Sequence, residues 1–214
     1  MSSKLDLGVA RQVCELASGG LLAGSSVVEV QARGVQAVLS VRLNVAEVER
    51  RDRDAVSTVL DGGMLDGLMQ LPAGLPVPES SLSSRERMLL RRCPKDALER
   101  SGGEVVRRLA CPLEVDLAVV RVTKPSRAGL LRAGKFGAYC QSAVWLDGPA
   151  AGSELLAIEA GIYGLGLVHA YADEAPALVV APQSSQFGHT PAGWLFAEQV
   201  YAELRSSRAA LPTS

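Results

Sequence analysis

Residues 121–183 read RVTKPSRAGLLRAGKFGAYCQSAVWLDGPAAGSELLAIEAGIYGLGLVHAYADEAPALVVAPQ, and this stretch decides the fold. Its opening, residues 121–135, carries Arg121, Lys124, Arg127, Arg132 and Lys135 and no acid. QSAVWLDG, SELLAIEAGIYG, LGLVHAY and PALVVAPQ follow, and they read as strand, helix, strand and strand. Short apolar runs bounded by Gly and Pro predict buried strands. The run between them is rich in small residues, as a helix packed on a sheet requires. A basic helix feeding an apolar α/β unit predicts a surface that meets an anion, such as a nucleic-acid backbone.

Upstream, PLEVDLAVVRV has a mostly apolar body, so Leu113–Val122 is expected among the inner strands of the sheet. At the N-terminus, Leu5, Val9, Val13 and Leu16 recur at helical spacing until Gly19-Gly20. In VVEVQARGVQAVLSVRLNV, Val35, Ala37, Leu39, Val41 and Leu43 alternate with Gln36, Ser40, Arg42 and Asn44. With Arg33-Gly34 as a tight turn, that predicts a β-hairpin. Residues 49–69 carry Val56, Val59, Leu60, Met64 and Leu68 in a helical stripe. Residues 70–83, QLPAGLPVPESSLS, read as a linker without regular structure. Ser83-Ser84 caps a short helix that Pro94 stops, and residues 96–109 form a second helical candidate broken by Gly102-Gly103. Two such helices in succession would be needed for a helix-turn-helix. Pro191 opens an amphipathic helix through Trp194, Leu195, Val200, Tyr201 and Leu204.

The expected fold is therefore α/β, with a mixed central sheet flanked by helices. The serial division is an N-terminal helix–hairpin–helix region at 1–69, a linker at 70–83, an α/β core at 84–208 and a frayed tail at 209–214.

Composition narrows the function. The chain has 214 residues, 48% of them hydrophobic and 21% charged, enough for a buried core. Aromatic residues make up 4%, too few for a base-stacking platform. The net charge of −1 rules out a global attractive field, but residues 85–135 hold thirteen Lys or Arg against six acids. Such a bias arises from solvated helix surfaces or from a basic face. Cys14, Cys93, Cys111 and Cys140 show no CxxC and no zinc spacing, so they are expected to be reduced and buried. The first residues, MSSKLDLGVARQVCELA, lack a signal-peptide core, and no apolar run has membrane-spanning length. The expected location is the cytoplasm, with no membrane partner.

Glu114 and Asp116 are two apart on a strand, so both carboxylates project from one face. Paired carboxylates suit Mg²⁺, and Arg121 or Lys124 nearby suits a phosphoryl transition state. A solvated strand end has the same pattern. Gly161, Gly164 and Gly166 lack phosphate-loop spacing. His169 is expected as a satisfied strand histidine. His189 lies near Ser184 and Ser185, but there is no GxSxG elbow.

The order of elements resembles the PD-(D/E)XK nuclease superfamily, the restriction-endonuclease-like fold. LAVVRVTKPSRAGLLRAGKFGAYCQSAVWLDG followed by ELLAIEAGIYGLGLVHA is similar to the second half of that core, and GIYGLGLV is similar to its helix-end glycines. The likeness spans roughly residues 104–183. It implies a metal-binding acid at Asp116, a basic catalytic residue at Lys124 or Arg121, and Mg²⁺ if the site is active. Where the family has acid-x-Lys, this chain has Val119-Val120-Arg121 or Val122-Thr123-Lys124, without the acid. Glu114 would replace it, with Glu99, Glu104 and Glu159 as further acids for a relocated site. The resemblance then implies a binding-only relative with no cofactor, contacting nucleic acid through Arg121, Lys124, Arg127, Arg132 and Lys135. A non-catalytic assembly protein, with a protein partner or as a homo-oligomer, and a nuclease with a rearranged Mg²⁺ site are the alternatives.

Overall fold

The computed structural model describes residues 6–171, 174–183 and 188–209. The chain divides into two compact units. One gathers residues 1–42 and 115–187, the other 43–114 and 188–214. Each unit thus collects segments that the serial division at 69 and 83 sets apart.

The first unit begins with α1 (Leu7–Ser18), capped by the Asp6 carboxylate on Gly8 N–H at 2.8 Å. β1 (Ser25–Ala32) and β2 (Val35–Leu43) form the expected antiparallel hairpin, with Ala32 opposite Val35. Arg33 and Gly34 both have positive φ, as a two-residue turn of this twist requires. β6 (Leu113–Val122), α5 (Arg127–Gly134), β7 (Gln141–Leu146), α6 (Ser153–Ile162), β8 (Gly166–His169) and β9 (Ala177–Val180) follow, with β3–β5 lying in the other unit. The sheet order is β1-β2-β6-β7-β8-β9. β6/β7 and β7/β8 are parallel, whereas β1/β2 and β8/β9 are antiparallel, so the sheet is mixed and β6 is internal as expected.

Alternation sets what lies on each face. Leu117 and Val119 of β6 pack with Val13, Cys14 and Ala17 of α1. Val122, of opposite parity, meets α5, where a Cβ on Gly129 would come within 2.9 Å of it. Two successive parallel crossovers, both right-handed by the usual rule, place α6 beside α5 on that second face. The Arg127 to Tyr163 hydroxyl hydrogen bond, 3.2 Å, links the pair. Gly148 is fixed by close approach: a Cβ there would lie 2.1 Å from the Thr123 carbonyl oxygen.

The second unit holds α2 (Val45–Arg53), α3 (Gly62–Met69), β3 (Pro76–Pro78), α4 (Ser84–Arg91), β4 (Leu98–Ser101), β5 (Glu104–Arg107) and α7 (Pro191–Ala209). Three expectations fail here. Residues 49–69 are not one helix. α2 stops at Arg53, Ala55 takes a left-handed φ of 52°, and Val56 and Val59 are buried from a loop. That loop's polar backbone is satisfied by α7, since Val59 N–H donates to Glu198 and Arg205 donates to the Val56 carbonyl. Residues 96–109 form a hairpin rather than a helix. Gly102 and Gly103, at φ 59° and 80°, make the turn that places Ser101 opposite Glu104. A helix-turn-helix is therefore not formed. Finally, residues 70–83 contribute β3, an edge strand on β5 in the order β3-β5-β4, with prolines at both its ends, where edge strands tolerate them. Among the described residues, no helix is long and apolar enough to cross a membrane.

Candidate functional site

Asp116 enters on β6 with the parity of Val122, towards α5. Its carboxylate is held by Arg42 of β2 through Nη2 to Oδ1 at 2.8 Å and Nε to Oδ2 at 2.9 Å. The pair is half-buried. This two-pronged grip occupies both oxygens that a metal ion would use. Glu114 is exposed, and the division between units falls between it and Val115. The further acids are dispersed. Glu99 is tied to Arg108 at 2.7 Å, Glu104 sits exposed at the start of β5, and Glu159 lies on α6 beside Arg127. Among the described residues, no group of three or more His, Cys, Asp or Glu is gathered for a metal. The donor set does not fit Mg²⁺ at Asp116 unless the Arg42 guanidinium is displaced.

The basic candidates separate into two sets. Arg121 has the parity of Leu117 and Val119, so it lies on the α1 face. Its Nε donates to Asp147 at 2.7 Å, and its guanidinium stacks 5.2 Å over Trp145. It is thus committed within the fold. On the other face, Arg127, Arg132 and Lys135 lie on the exposed side of α5 and its end, because Gly129, Leu130 and Ala133 take the buried side. Lys124, in the loop before α5, is also exposed. Arg127 donates to the Tyr163 hydroxyl, Arg132 to its own helix at Ala128, and Lys135 reaches the Arg33 carbonyl at 3.5 Å. The Tyr163 hydrogen bond, with the charges of Tyr163 and Glu159, raises the Arg127 pKa further, so it stays cationic. None of Lys124, Arg127, Arg132 and Lys135 is in an ion pair among the described residues.

The fold adds Arg33 to this set. It sits at the hairpin turn, its guanidinium 5.3 Å over the Tyr139 ring and its carbonyl facing Lys135. Positive charge at a tight turn was visible in the sequence, but its approach to the end of α5 is a long-range product of the fold. Arg42 and Asp147 were missed for the same reason, since their partners lie 74 and 26 residues away.

His169 is half-buried, with Nε2 2.9 Å from the Gly148 carbonyl. Gly166 packs under Ala143. His189 stands 5.9 Å from the Trp194 ring, while Ser184 and Ser185 lie outside the described residues. All four cysteines are free. Cys14 and Cys140 are buried, Cys93 and Cys111 partly so. Desolvation pushes Cys14, Cys111 and Cys140 up to about 12, so they are inert thiols.

The chain matches no protein-family model, no curated protein and no solved structure.

Proposed function

We propose that this protein associates with nucleic acid through the exposed basic side of α5, and that it binds rather than cleaves. The observation that carries the reading is the contrast in how charges are used. Asp116 and Arg121 are consumed by Arg42 and Asp147, while Lys124, Arg127, Arg132 and Lys135 stay exposed and, among the described residues, outside ion pairs. Four exposed cations on one short segment suit a run of phosphates and carry no base readout. We further propose that the scaffold is a degenerate restriction-endonuclease-like core. The order α1, hairpin, β6, basic α5, parallel β7 supports it.

The test is fluorescence anisotropy with duplex and single-stranded oligonucleotides across a salt series. Replacing Arg127, Arg132 and Lys135 together by Ala lowers affinity and flattens the salt dependence, by about 0.9 in log–log slope for each duplex phosphate no longer neutralised. Unchanged binding in the triple variant, or none by the parent protein at low salt, rejects the reading. Incubation of either substrate with Mg²⁺ or Mn²⁺ is expected to give no cleavage. Cleavage that disappears in Glu114→Ala/Asp116→Ala would instead establish the rearranged nuclease.

A second reading, a protein-interaction or assembly role, is favoured by α6. Leu155, Ile158 and Ile162, spaced three and four apart, are 66%, 62% and 73% exposed. An apolar stripe facing away from the sheet is the usual mark of a docking face.

A further inference from the structure

The second unit contains a cavity of about 330 Å³, lined by Leu90, Arg91, Cys93, Pro94, Lys95, Leu98 and Arg100. Its apolar floor comes from Leu90 and Leu98, both buried. Its polar wall is cationic and carries no carboxylate. We propose that this cavity is a binding site for a phosphate monoester on a small organic body, independent of the α5 surface.

Three arguments support this. The first is charge. Arg100 is neutralised by Glu79, its Nη1 lying 2.6 Å from the carboxylate, and its Nη2 donates to the Leu90 carbonyl at 2.8 Å. Arg100 is thereby held in place. Arg91 and Lys95 are exposed and in no ion pair among the described residues. Nearby acids are engaged elsewhere: Asp61 pairs with Arg92 at 3.4 Å and Glu99 with Arg108. Asp96, next to Lys95, is outside the lining. Two uncompensated cations match a phosphate monoester, which carries about −1.5 to −2 near neutral pH.

The second argument concerns the helix end. Arg91 closes α4, where carbonyl oxygens would repel an anion. Here two of the last carbonyls accept hydrogen bonds, which reduces that repulsion. Leu89 accepts from Arg92 N–H at 3.0 Å and from the Cys93 thiol at 3.8 Å, and Leu90 accepts from Cys93 N–H and Arg100. Desolvation pushes the Cys93 thiol up to about 11, so it adds no negative charge to the wall.

The third is size. The volume lies at the lower end of small-ligand sites, about 300–1,000 Å³, and admits a sugar phosphate or mononucleotide. The phosphate can come from a free compound or from the 5′ end of a nucleic-acid strand, and the chemistry at the cavity is the same.

The experiment is isothermal titration of the full chain with ribose 5-phosphate and AMP, against ribose and adenosine. Saturable binding of the phosphorylated pair alone is expected. Arg91→Ala and Lys95→Ala each lower affinity about tenfold, the worth of one charge-assisted hydrogen bond, while Arg91→Lys retains most of it. Circular dichroism confirms that the variants fold; both side chains are exposed, so folding is expected to persist. A 5′-phosphorylated dinucleotide against its 5′-hydroxyl counterpart separates the two sources. Tighter binding of the former than of AMP assigns a strand end, and weaker binding assigns a free compound. No saturable binding by any phosphorylated probe, or binding undiminished in Arg91→Ala/Lys95→Ala, overturns the proposal. Loss of oligonucleotide affinity in the α5 triple variant leaves it standing.

Discussion

In the unit built on the six-stranded sheet, the described buried polar side chains are Ser40 and Ser142, and everything else inside is apolar. In the other unit, one of the largest fully buried side chains is an arginine, Arg51, accompanied by the buried Glu47 and Glu198. Arg51 donates through Nε to Glu47 at 2.7 Å, through Nη1 and Nη2 to the two oxygens of Glu198 at 2.8 and 2.6 Å, and through Nη2 to the Ala110 carbonyl at 2.8 Å. Glu198 also accepts from Val59 N–H and from the Trp194 indole, both at 3.1 Å. The sheet unit is organised by pattern, whereas its neighbour is organised by one saturated ionic cluster joining α2, α7 and two loops. Pattern tolerates substitution; a saturated buried cluster does not, because each missing partner leaves a desolvated charge.

That difference predicts a ranking. Glu198→Ala is expected to have the largest effect, about 3–5 kcal/mol lost in urea denaturation, since it leaves Arg51 buried without its main partner. A loss under 1 kcal/mol would mean that water reaches Arg51 in the variant, and the cluster would not be the organising element. In the sheet unit the most sensitive position is a close backbone approach. Gly148→Ala forces a Cβ into the Thr123 carbonyl and costs about 1–3 kcal/mol or more. Unaltered stability there would show that the β7–α6 loop moves freely away from the β6 end.

A smaller effect is expected from acid. Burial raises the Glu47 pKa, but hydrogen bonds and charges from Arg50 and Arg51 outweigh it, and the net value is lowered. A carboxyl lowered in the folded state stabilises fully above its unfolded value, about 4.3, and that contribution is lost as pH falls through the folded value. Stability of the parent protein should therefore fall below about pH 4 more steeply than that of Glu47→Gln. Parallel pH profiles for the two would remove Glu47 from the acid response.

The same contrast explains what the sequence could tell. The sheet unit was legible because its signals are local. LEVDLAVVRV and QSAVWL are apolar runs of strand length, and Arg33-Gly34 is turn chemistry between alternating segments. The second unit was misread where local signals conflict with distant partners. The stripe Val56, Val59, Leu60 suggests helix, but Glu198 and Arg205, more than a hundred residues on, bind the backbone there and stabilise a loop. Gly102-Gly103 was legible as a break but not as a hairpin, since Leu98–Ser101 and Glu104–Arg107 are short and strongly charged. Of the candidate site, the acid-free basic run from Arg121 to Lys135 was legible. The commitments of Asp116 to Arg42 and of Arg121 to Asp147 were not, because ion pairs between strands carry no sequence period.

The smallest expected effect on stability belongs to the basic side of α5, proposed above to meet nucleic-acid phosphates. Among the described residues, the hydrogen bonds of Arg127, Arg132 and Lys135, to Tyr163, Ala128 and Arg33, are exposed. Exposed interactions of this kind contribute little because water competes for both partners. Each Ala substitution should therefore change stability by no more than about 0.5 kcal/mol, and helix propensity favours Ala on α5. The triple variant should melt within a few degrees of the parent protein while losing oligonucleotide affinity. That separation is the useful result, because a stability-neutral surface whose removal abolishes binding is a surface kept for its partner. If the triple variant instead melts far below the parent protein, the basic side of α5 contributes to the fold, most directly through Lys135 and the hairpin turn. The weaker binding would then no longer identify these side chains as phosphate ligands.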